Sequence, residues 1–150
     1  MQRRDTPSHD FYIKNIAHLL RYKSDQRLAP YDITESQARL LGHIYGAQRS
    51  EQEISRRYLS QAMQISGPSV TSLLNNLEKK GLISRCSGSE DGRTMRIELS
   101  QKAMILLNEM SDILNMITQD LLVGFSEEEK IAFLMFLKRA YKNLGMDSHI

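Results

Sequence analysis

Apolar residues along this chain recur mainly at the spacing of α-helices. The clearest stripe follows an i, i+3, i+4, i+7 pattern in a short segment: Val70, Leu73, Leu74 and Leu77. Ser66 and Gly67 precede the segment as plausible cap residues, Pro68 suits a first helical turn, and Gly81 is a natural stop. The pattern therefore predicts a short amphipathic helix between these signals.

The opposite face of this predicted helix carries short polar side chains. It comprises Pro68, Ser72, Asn75 and Lys79, with Ser69, Thr71 and Asn76 at its margins. Such a face is typical of an ordinary solvated helix, and it also suits a helix that reads base edges in a DNA groove. The helix alone does not decide between these interpretations.

The segment that follows predicts a β-hairpin. Residues 82–85 and 94–99 alternate with a period of two, and the Gly-rich residues 86–93 join them. The tip carries Asp91 and Arg93. An arginine on such a tip, beside a groove-sized helix, can enter the minor groove of DNA, and a nearby aspartate can hold its guanidinium. The hairpin therefore favours the DNA-reading interpretation.

Helical patterns also precede the reading helix. The first predicted helix runs from His9 to about Arg27, with Phe11, Ile16, Leu19 and Leu20 at helical spacing. Thr34 and Gln37 form a capping box before a second helix, which we expect from Glu35 to about Tyr45, closed by Gly46.

A short third helix completes a helix-turn-helix with the reading helix. Ser55 caps it, it runs from Arg56 to Met63 with Leu59 and Met63 buried, and residues 64–67 form the turn. Ile54, just before it, could pair weakly with the hairpin. Arg56 and Arg57 could lie near phosphates, although a solvated face suits them equally.

Two longer apolar helices follow the hairpin. Ser100 caps a fifth helix expected from Gln101 to about Gly124, and Ser126 opens a sixth with three glutamates in its first turn. Both helices, like the first, carry more apolar surface than a small domain can hide. A larger intramolecular core would explain this surface, but a second copy of the chain is the simplest cover.

Several of these motifs closely resemble the signature of the MarR family of bacterial transcriptional regulators. They are Ser69-Val70-Thr71, the LEKKGLISR run of residues 77–85, Asp91-Gly92-Arg93 and Leu99-Ser100. The resemblance extends over roughly residues 10 to 145. It implies a single domain over residues 1–150, mainly α with a small β-hairpin wing. The winged helix-turn-helix would span about residues 34–99, and dimerisation helices about 9–28 and 101–145.

The resemblance also implies a function. The chain would be a homodimeric repressor that binds a palindromic operator and is released by a small lipophilic or aromatic ligand. Such ligands would bind in a cleft bordered by the first, second and fifth helices. The chain offers adaptable lining side chains, although each of them could equally fill the core: Tyr22, Tyr45, Met63, Met104 and Met110.

Specific roles follow for the residues of the reading helix and wing. Short polar side chains would face base edges or nearby phosphates: Pro68, Ser69, Thr71, Ser72, Asn75 and Asn76. An asparagine can pair with adenine through two hydrogen bonds. Lys79, Lys80 and Arg85 would contact phosphates, and Arg93, positioned by Asp91, would enter the minor groove.

Charge adds regional support for a DNA interface. The formal net charge of the 150 residues is only +2. Residues 56–96, however, hold seven basic residues against three acidic ones, whereas residues 98–150 hold five against eight. The positive charge is therefore concentrated where the reading helix and wing lie, as expected for a basic DNA face with an acidic far side.

Other chemistry finds little support in the sequence. The four histidines make no close metal-ligand spacing, and no phosphate loop or nucleophile elbow occurs. We therefore expect no enzyme, cofactor or metal site. We expect a cytoplasmic protein without a membrane span, since apolar runs are short and the start lacks a signal peptide.

Two alternatives to the ligand-released regulator remain. The single cysteine, Cys86, follows Arg85, which could lower its pKa and make the regulator redox-responsive. A winged-helix interaction module that does not read DNA is the other alternative.

Overall fold

The computed structural model of the chain describes residues 7–87 and 93–145. The chain divides into two compact units, Met1–Asn115 and Met116–Ile150. Within the described residues the secondary structure is helical apart from one two-stranded hairpin. The predicted fold class, mainly α with a β-hairpin wing, is therefore confirmed.

The first unit opens with two helices joined by a tight turn. Helix α1 comprises His9–Leu28 and a single 3-10 turn, Ala29–Tyr31, follows it. Helix α2 comprises Glu35–Arg49. The predicted capping box is present: Thr34 Oγ1 accepts from the Gln37 amide at 3.2 Å, and Gln37 Oε1 accepts from the Thr34 amide at 3.1 Å.

The predicted end of α2 at Gly46 was wrong, because the helix continues to Arg49. Ala47 is only 2% exposed, and Ala, Gln and Arg are good helix formers. A glycine inside a helix costs about 1 kcal/mol, and burial of Ala47 offsets most of that cost.

The helix-turn-helix follows the prediction closely. Helix α3 comprises Arg56–Met63 and helix α4 comprises Gly67–Lys79; Ser55 and Ser66 cap them. Gly81 has a φ of +69°, a left-handed conformation that glycine adopts without strain, and it reverses the chain after α4.

The wing is an antiparallel hairpin. Strands β1, Ile83–Ser87, and β2, Met95–Leu99, pair with Arg85 opposite Ile97 and Cys86 opposite Arg96. Strand β1 therefore runs two residues beyond the predicted end. The Met95 amide donates to the Ile54 carbonyl at 2.8 Å, so the expected pairing of Ile54 with the wing is confirmed.

Helix α4 rests on a core built by three helices. Its side chains Val70, Leu74 and Leu77 are at most 1% exposed, whereas Leu73 lies at the margin and is half-buried. Helix α2 contributes three fully buried side chains, Leu40, Leu41 and Ile44. Helix α3 contributes Leu59, which is also fully buried. This packing turns the polar face of α4 outward.

Helix α5 comprises Gln101–Leu121, and the predicted end near Gly124 falls in the turn that follows it. The Ser100 hydroxyl accepts from the Ala103 amide at 3.1 Å, as expected of an N-cap. One stripe of α5 in the first unit is buried: Ala103, Leu106, Met110 and Ile113. Met104, Ile105 and Leu114 on its other sides are 39%, 60% and 53% exposed.

Helix α6, Glu127–Asn143, belongs to the second unit and begins at a Ser126 cap. None of its described residues is buried, although it carries a row of large apolar side chains: Ile131, Leu134, Met135, Phe136, Leu137 and Tyr141. In α1, likewise, Phe11 and Leu19 are 50% and 53% exposed. Each helix therefore presents apolar surface that its own unit leaves uncovered.

Among the described residues, no helix combines the length and the hydrophobicity that a membrane span requires.

Candidate nucleic-acid interface

The outward face of α4 carries the predicted base-reading residues. Five of them, Pro68, Ser69, Ser72, Asn75 and Asn76, are exposed, and so is the predicted phosphate contact Lys79. Thr71 is half-buried, and its hydroxyl donates back to the Gly67 carbonyl at 3.2 Å. Because Val70, Leu74 and Leu77 anchor the opposite face, the exposed polar face is presented on a rigid support.

The N-terminal end of α4 combines a cap with a basic side chain. Ser66 Oγ accepts from the Ser69 amide at 3.2 Å and lies 2.8 Å from Ser69 Oγ. The Arg56 side chain lies against Gly67, because a Cβ atom there would stand 3.6 Å from Arg56 Nε. Arg56 and Arg57 are exposed. A phosphate at this end would meet both the helix dipole and a guanidinium.

The two lysines at the other end of α4 differ. Lys79 is exposed and has no ion-pair partner among the residues that the structure describes. The Lys80 ammonium instead donates to the Asp32 carbonyl and to Gln37 Oε1, and it lies 3.8 Å from the Asp32 carboxylate. Lys80 therefore ties α4 to the start of α2 and is not presented as the predicted phosphate contact.

Arg85 also has an intramolecular role that the sequence did not indicate. Its guanidinium donates to Glu78 at 2.7 and 3.1 Å and to Asn75 Oδ1 at 2.6 Å. The chain reversal at Gly81 brings β1 back beside α4, which makes these long-range contacts. The hydrogen bond from Arg85 is the main cause that holds the pKa of Glu78 below its ordinary value.

The wing presents two exposed arginines. Arg93 is exposed just before β2, whereas its predicted partner Asp91 lies outside the described residues. Arg96 is exposed on β2, and we did not predict it as a site residue. The alternation of β2 gave a signal, because buried Ile97 implies that its neighbour Arg96 points outward.

The register of the hairpin gives Cys86 a different basic neighbour from the one that the sequence suggested. Adjacent strand residues point to opposite faces, so Arg85 and Cys86 do not share a face. Arg96 is the basic residue that lies opposite Cys86 in the pairing. In the described segments no three His, Cys, Asp or Glu residues are grouped as metal ligands.

The first unit also contains a mostly apolar cavity of about 310 Å³. Helices α1, α2 and α5 supply its lining: Ser24, Leu28, Glu35, Ala38, Arg39, Gly42, His43, Met110, Ile113 and Leu114. Burial, with a smaller effect of Arg39, lowers the pKa of His43 below its ordinary value of 6.5. Glu35 Oε2 is buried without a hydrogen-bond partner among the described residues. Oε1 of the same carboxylate lies 3.7 Å from Arg39 Nη1, so Oε2 is the atom that a hydrogen-bond donor entering the cavity would meet.

The predicted ligand-lining residues do not meet at one place. Met110 lines the cavity, whereas Tyr45 and Met104 border an open groove beside β2. Met63 is 2% exposed in the core, and Tyr22 is 54% exposed on α1; neither lines the cavity or the groove.

Comparisons with known proteins agree with this architecture. A model of the MarR family matches residues 31–94. The structure is similar to a Staphylococcus aureus MepR–DNA complex with a TM-score of 0.78 and 31% identity, covering 91% of this chain and 96% of that one. A second similar structure is that of MepR, a transcription regulator of the S. aureus multidrug efflux pump MepA; the TM-score is 0.69, the identity is 30%, and the match covers 92% of this chain and 99% of that one.

The fold is shared more widely. The reduced form of MarR from E. coli matches with a TM-score of 0.76 and 19% identity, covering 91% of this chain and 98% of that one. Residue motifs, fold and relatives agree that the chain belongs to the MarR family of winged helix-turn-helix, DNA-binding transcription regulators.

Proposed function

We propose that this protein is a dimeric repressor that recognises a palindromic operator and is released from it by a small lipophilic ligand. The observation that carries the proposal is the outward face of α4, with exposed Ser72 and Asn75 opposite its buried stripe and exposed Ser69 and Asn76 at the margins of the same face. Short polar side chains on a rigid helix can approach base edges closely in the major groove.

Basic groups around this face would provide affinity. Arg56 of α3, whose side chain lies beside the start of α4, and Lys79 at the end of α4 suit phosphates, and Arg93 on the wing suits the adjacent minor groove. Lys80 and Arg85 are left out of the phosphate-contacting set, because both cations are bound within the chain.

Dimerisation would supply the second reading helix. The uncovered apolar surfaces of α1 and α6 support a contact with a second copy. Two reading helices related by a dyad recognise half-sites about one turn of DNA apart, which a single helix cannot do.

The cavity would receive the effector. Its apolar lining suits a lipophilic or aromatic molecule, and the unsatisfied Glu35 oxygen favours one that carries a hydrogen-bond donor or a positive charge. Because α2 and α5 line this cavity, a ligand that separates them can change the spacing of the reading helices in a dimer.

Replacing the wing arginine tests the DNA-binding geometry. Arg93→Ala is expected to weaken operator binding by about 1–3 kcal/mol, because a minor-groove guanidinium is lost. Fluorescence anisotropy with an operator duplex measures the loss. Arg49→Ala, which removes an exposed cation at the end of α2 outside the proposed DNA and dimer surfaces, is the control for overall charge. An operator affinity unchanged in Arg93→Ala would remove Arg93 from the site.

Replacing the exposed lysine of α4 tests the phosphate role. Lys79→Ala is expected to weaken specific and non-specific duplexes alike and to lower the slope of log affinity against log salt by about 1. Titrations at several salt concentrations measure both effects. A loss restricted to the operator would contradict a phosphate contact.

Filling the cavity tests the effector site. A Cβ at Gly42 would meet nothing within 4 Å, so Gly42→Leu can extend into the cavity without a clash at its first atom. We expect unchanged operator binding but no release by lipophilic ligands that release the wild type. Benzyltrimethylammonium and benzoate are suitable probes of opposite charge. Release that persists in Gly42→Leu would place the effector elsewhere.

A further inference from the structure

A network of three side chains joins the outward face of α4 to β1. Arg85 donates from Nε and Nη2 to Glu78 Oε2, at 3.1 and 2.7 Å, and from Nη2 to Asn75 Oδ1 at 2.6 Å. Asn75 and Glu78 are three residues apart and therefore neighbours on one helix face. A single guanidinium thus holds a carboxylate and an amide together.

The contact defines the orientation of the Asn75 amide. A guanidinium only donates hydrogen bonds, and only the oxygen of a side-chain amide accepts them. The oxygen of Asn75 must therefore face Arg85, and its nitrogen, which carries two N–H donors, is directed away from the guanidinium. Because Asn75 is exposed, these donors are available at the surface of α4.

These hydrogen bonds fix the orientation of the Arg85 guanidinium but add little to the stability of the fold. The side chains of Arg85 and Glu78 are 25% and 41% exposed, and ion pairs with such exposure contribute little to stability. Two bonds to one carboxylate nevertheless hold the guanidinium in a defined place, since its donors have a fixed planar geometry.

From this geometry, and resting on the proposed DNA-reading role of α4, we infer that Arg85, held by Glu78, is a positioning residue for base recognition. It presents the N–H donors of Asn75 to a base edge that bears an acceptor. Guanine N7 and O6, adenine N7 and thymine O4 are such acceptors, whereas cytosine offers a donor. The two-bond pairing with adenine that the sequence suggested also needs the amide oxygen, which Arg85 already bonds.

Arg85→Lys distinguishes this role from a phosphate contact. Lysine keeps the charge but lacks the planar fork that reaches Glu78 and Asn75 together. Duplexes selected by the wild-type protein from a random pool are changed one base pair at a time, and binding is measured at two salt concentrations. Asn75→Ala and Arg85→Lys are expected to reduce the preference at the same base pair, each by about tenfold, with unchanged salt dependence.

Two further variants make the test sharper. The double variant Asn75→Ala/Arg85→Lys is expected to lose no more preference than either single variant, since both act through one amide. Glu78→Gln, which retains the shape of the side chain but not its charge, is expected to cause a smaller loss at the same base pair. Lys79→Ala is the matched control, and it is expected to leave the base preference unchanged.

The outcomes separate the inference from the function on which it rests. If the wild-type protein selects no sequence from the pool, both the proposed DNA-reading function and the positioning role of Arg85 are overturned. If the wild type is selective and Arg85→Lys keeps the preference that Asn75→Ala loses, the positioning role alone is overturned. A fall of about 1 in the salt slope for Arg85→Ala, with its base preference intact, would likewise show a phosphate contact. Thermal unfolding by circular dichroism verifies that each variant is folded.

Discussion

Placing glutamates at Ile131 and Leu134 is expected to convert the proposed dimer to a monomer and to reduce operator affinity by about 10²- to 10⁴-fold. The two side chains are three residues apart on α6 and are 63% and 52% exposed, so the change does not disturb a core within the chain. Charges buried between two copies would be costly. A monomer would lose the gain in affinity that linked binding to two half-sites provides.

Analytical ultracentrifugation measures the change in mass, and anisotropy with a two-half-site duplex measures the change in affinity. The control is Ser36→Glu/Gln52→Glu, which adds the same charge at exposed polar positions outside the predicted dimerisation helices. A double variant of α6 that remains dimeric would exclude this face from the interface. A wild-type protein that is already monomeric would refute the dimer itself.

Truncating Leu74 is expected to cause a large loss of stability. Its side chain is 1% exposed, directly opposite the polar reading face. Leu74→Ala should lower the free energy of unfolding by about 2–5 kcal/mol, because the removed methyl groups leave a cavity in a packed core. Operator binding would fall with the folded fraction.

Urea denaturation followed by circular dichroism measures this loss. Leu73→Ala is the matched control, since the same change is made one position away at a half-buried side chain, and we expect a smaller loss. Leu74→Met, which nearly conserves volume, should cost less than about 1.5 kcal/mol. Equal losses at positions 73 and 74 would contradict the packing of α4 described above.

The fold was largely predictable because local signals and long-range packing agree. The capping residues Thr34, Ser55, Ser66 and Ser100 mark helix starts by a mechanism that acts within three residues. The end of α2 was not predictable in this way. Burial of Ala47 carries the helix past Gly46, and burial depends on neighbours distant in sequence.

The candidate DNA site was predictable in position but not in the detail of its charges. Alternation and the 3.6-residue period indicate which side of α4 and β2 is outward. They do not indicate which cations pair within the chain. Lys80 contacts residues 43 and 48 positions away, and Arg85 contacts α4 across a chain reversal, so both were assigned to phosphates on charge alone.

For the predicted ligand site, too, the sequence indicated the region but not the individual side chains. The family resemblance implied a ligand cleft bordered by the first, second and fifth helices, and the cavity is lined by residues of α1, α2 and α5. Composition could not place individual side chains: Met110 lies there, whereas Met63 lies in the core. The sequence could not predict the unsatisfied Glu35 oxygen, because an acidic residue in the first turn of a helix is ordinarily explained by the helix dipole.

Selective, salt-dependent binding by a dimer tests the central claim most directly. Fluorescence anisotropy would compare a palindromic duplex from the gene's own upstream region with a scrambled duplex of equal length, at two salt concentrations. We expect tighter binding to the native duplex, a stoichiometry of two chains per palindrome, and weaker binding at higher salt. Equal and weak binding to both duplexes at both salt concentrations would contradict the proposed operator-binding function.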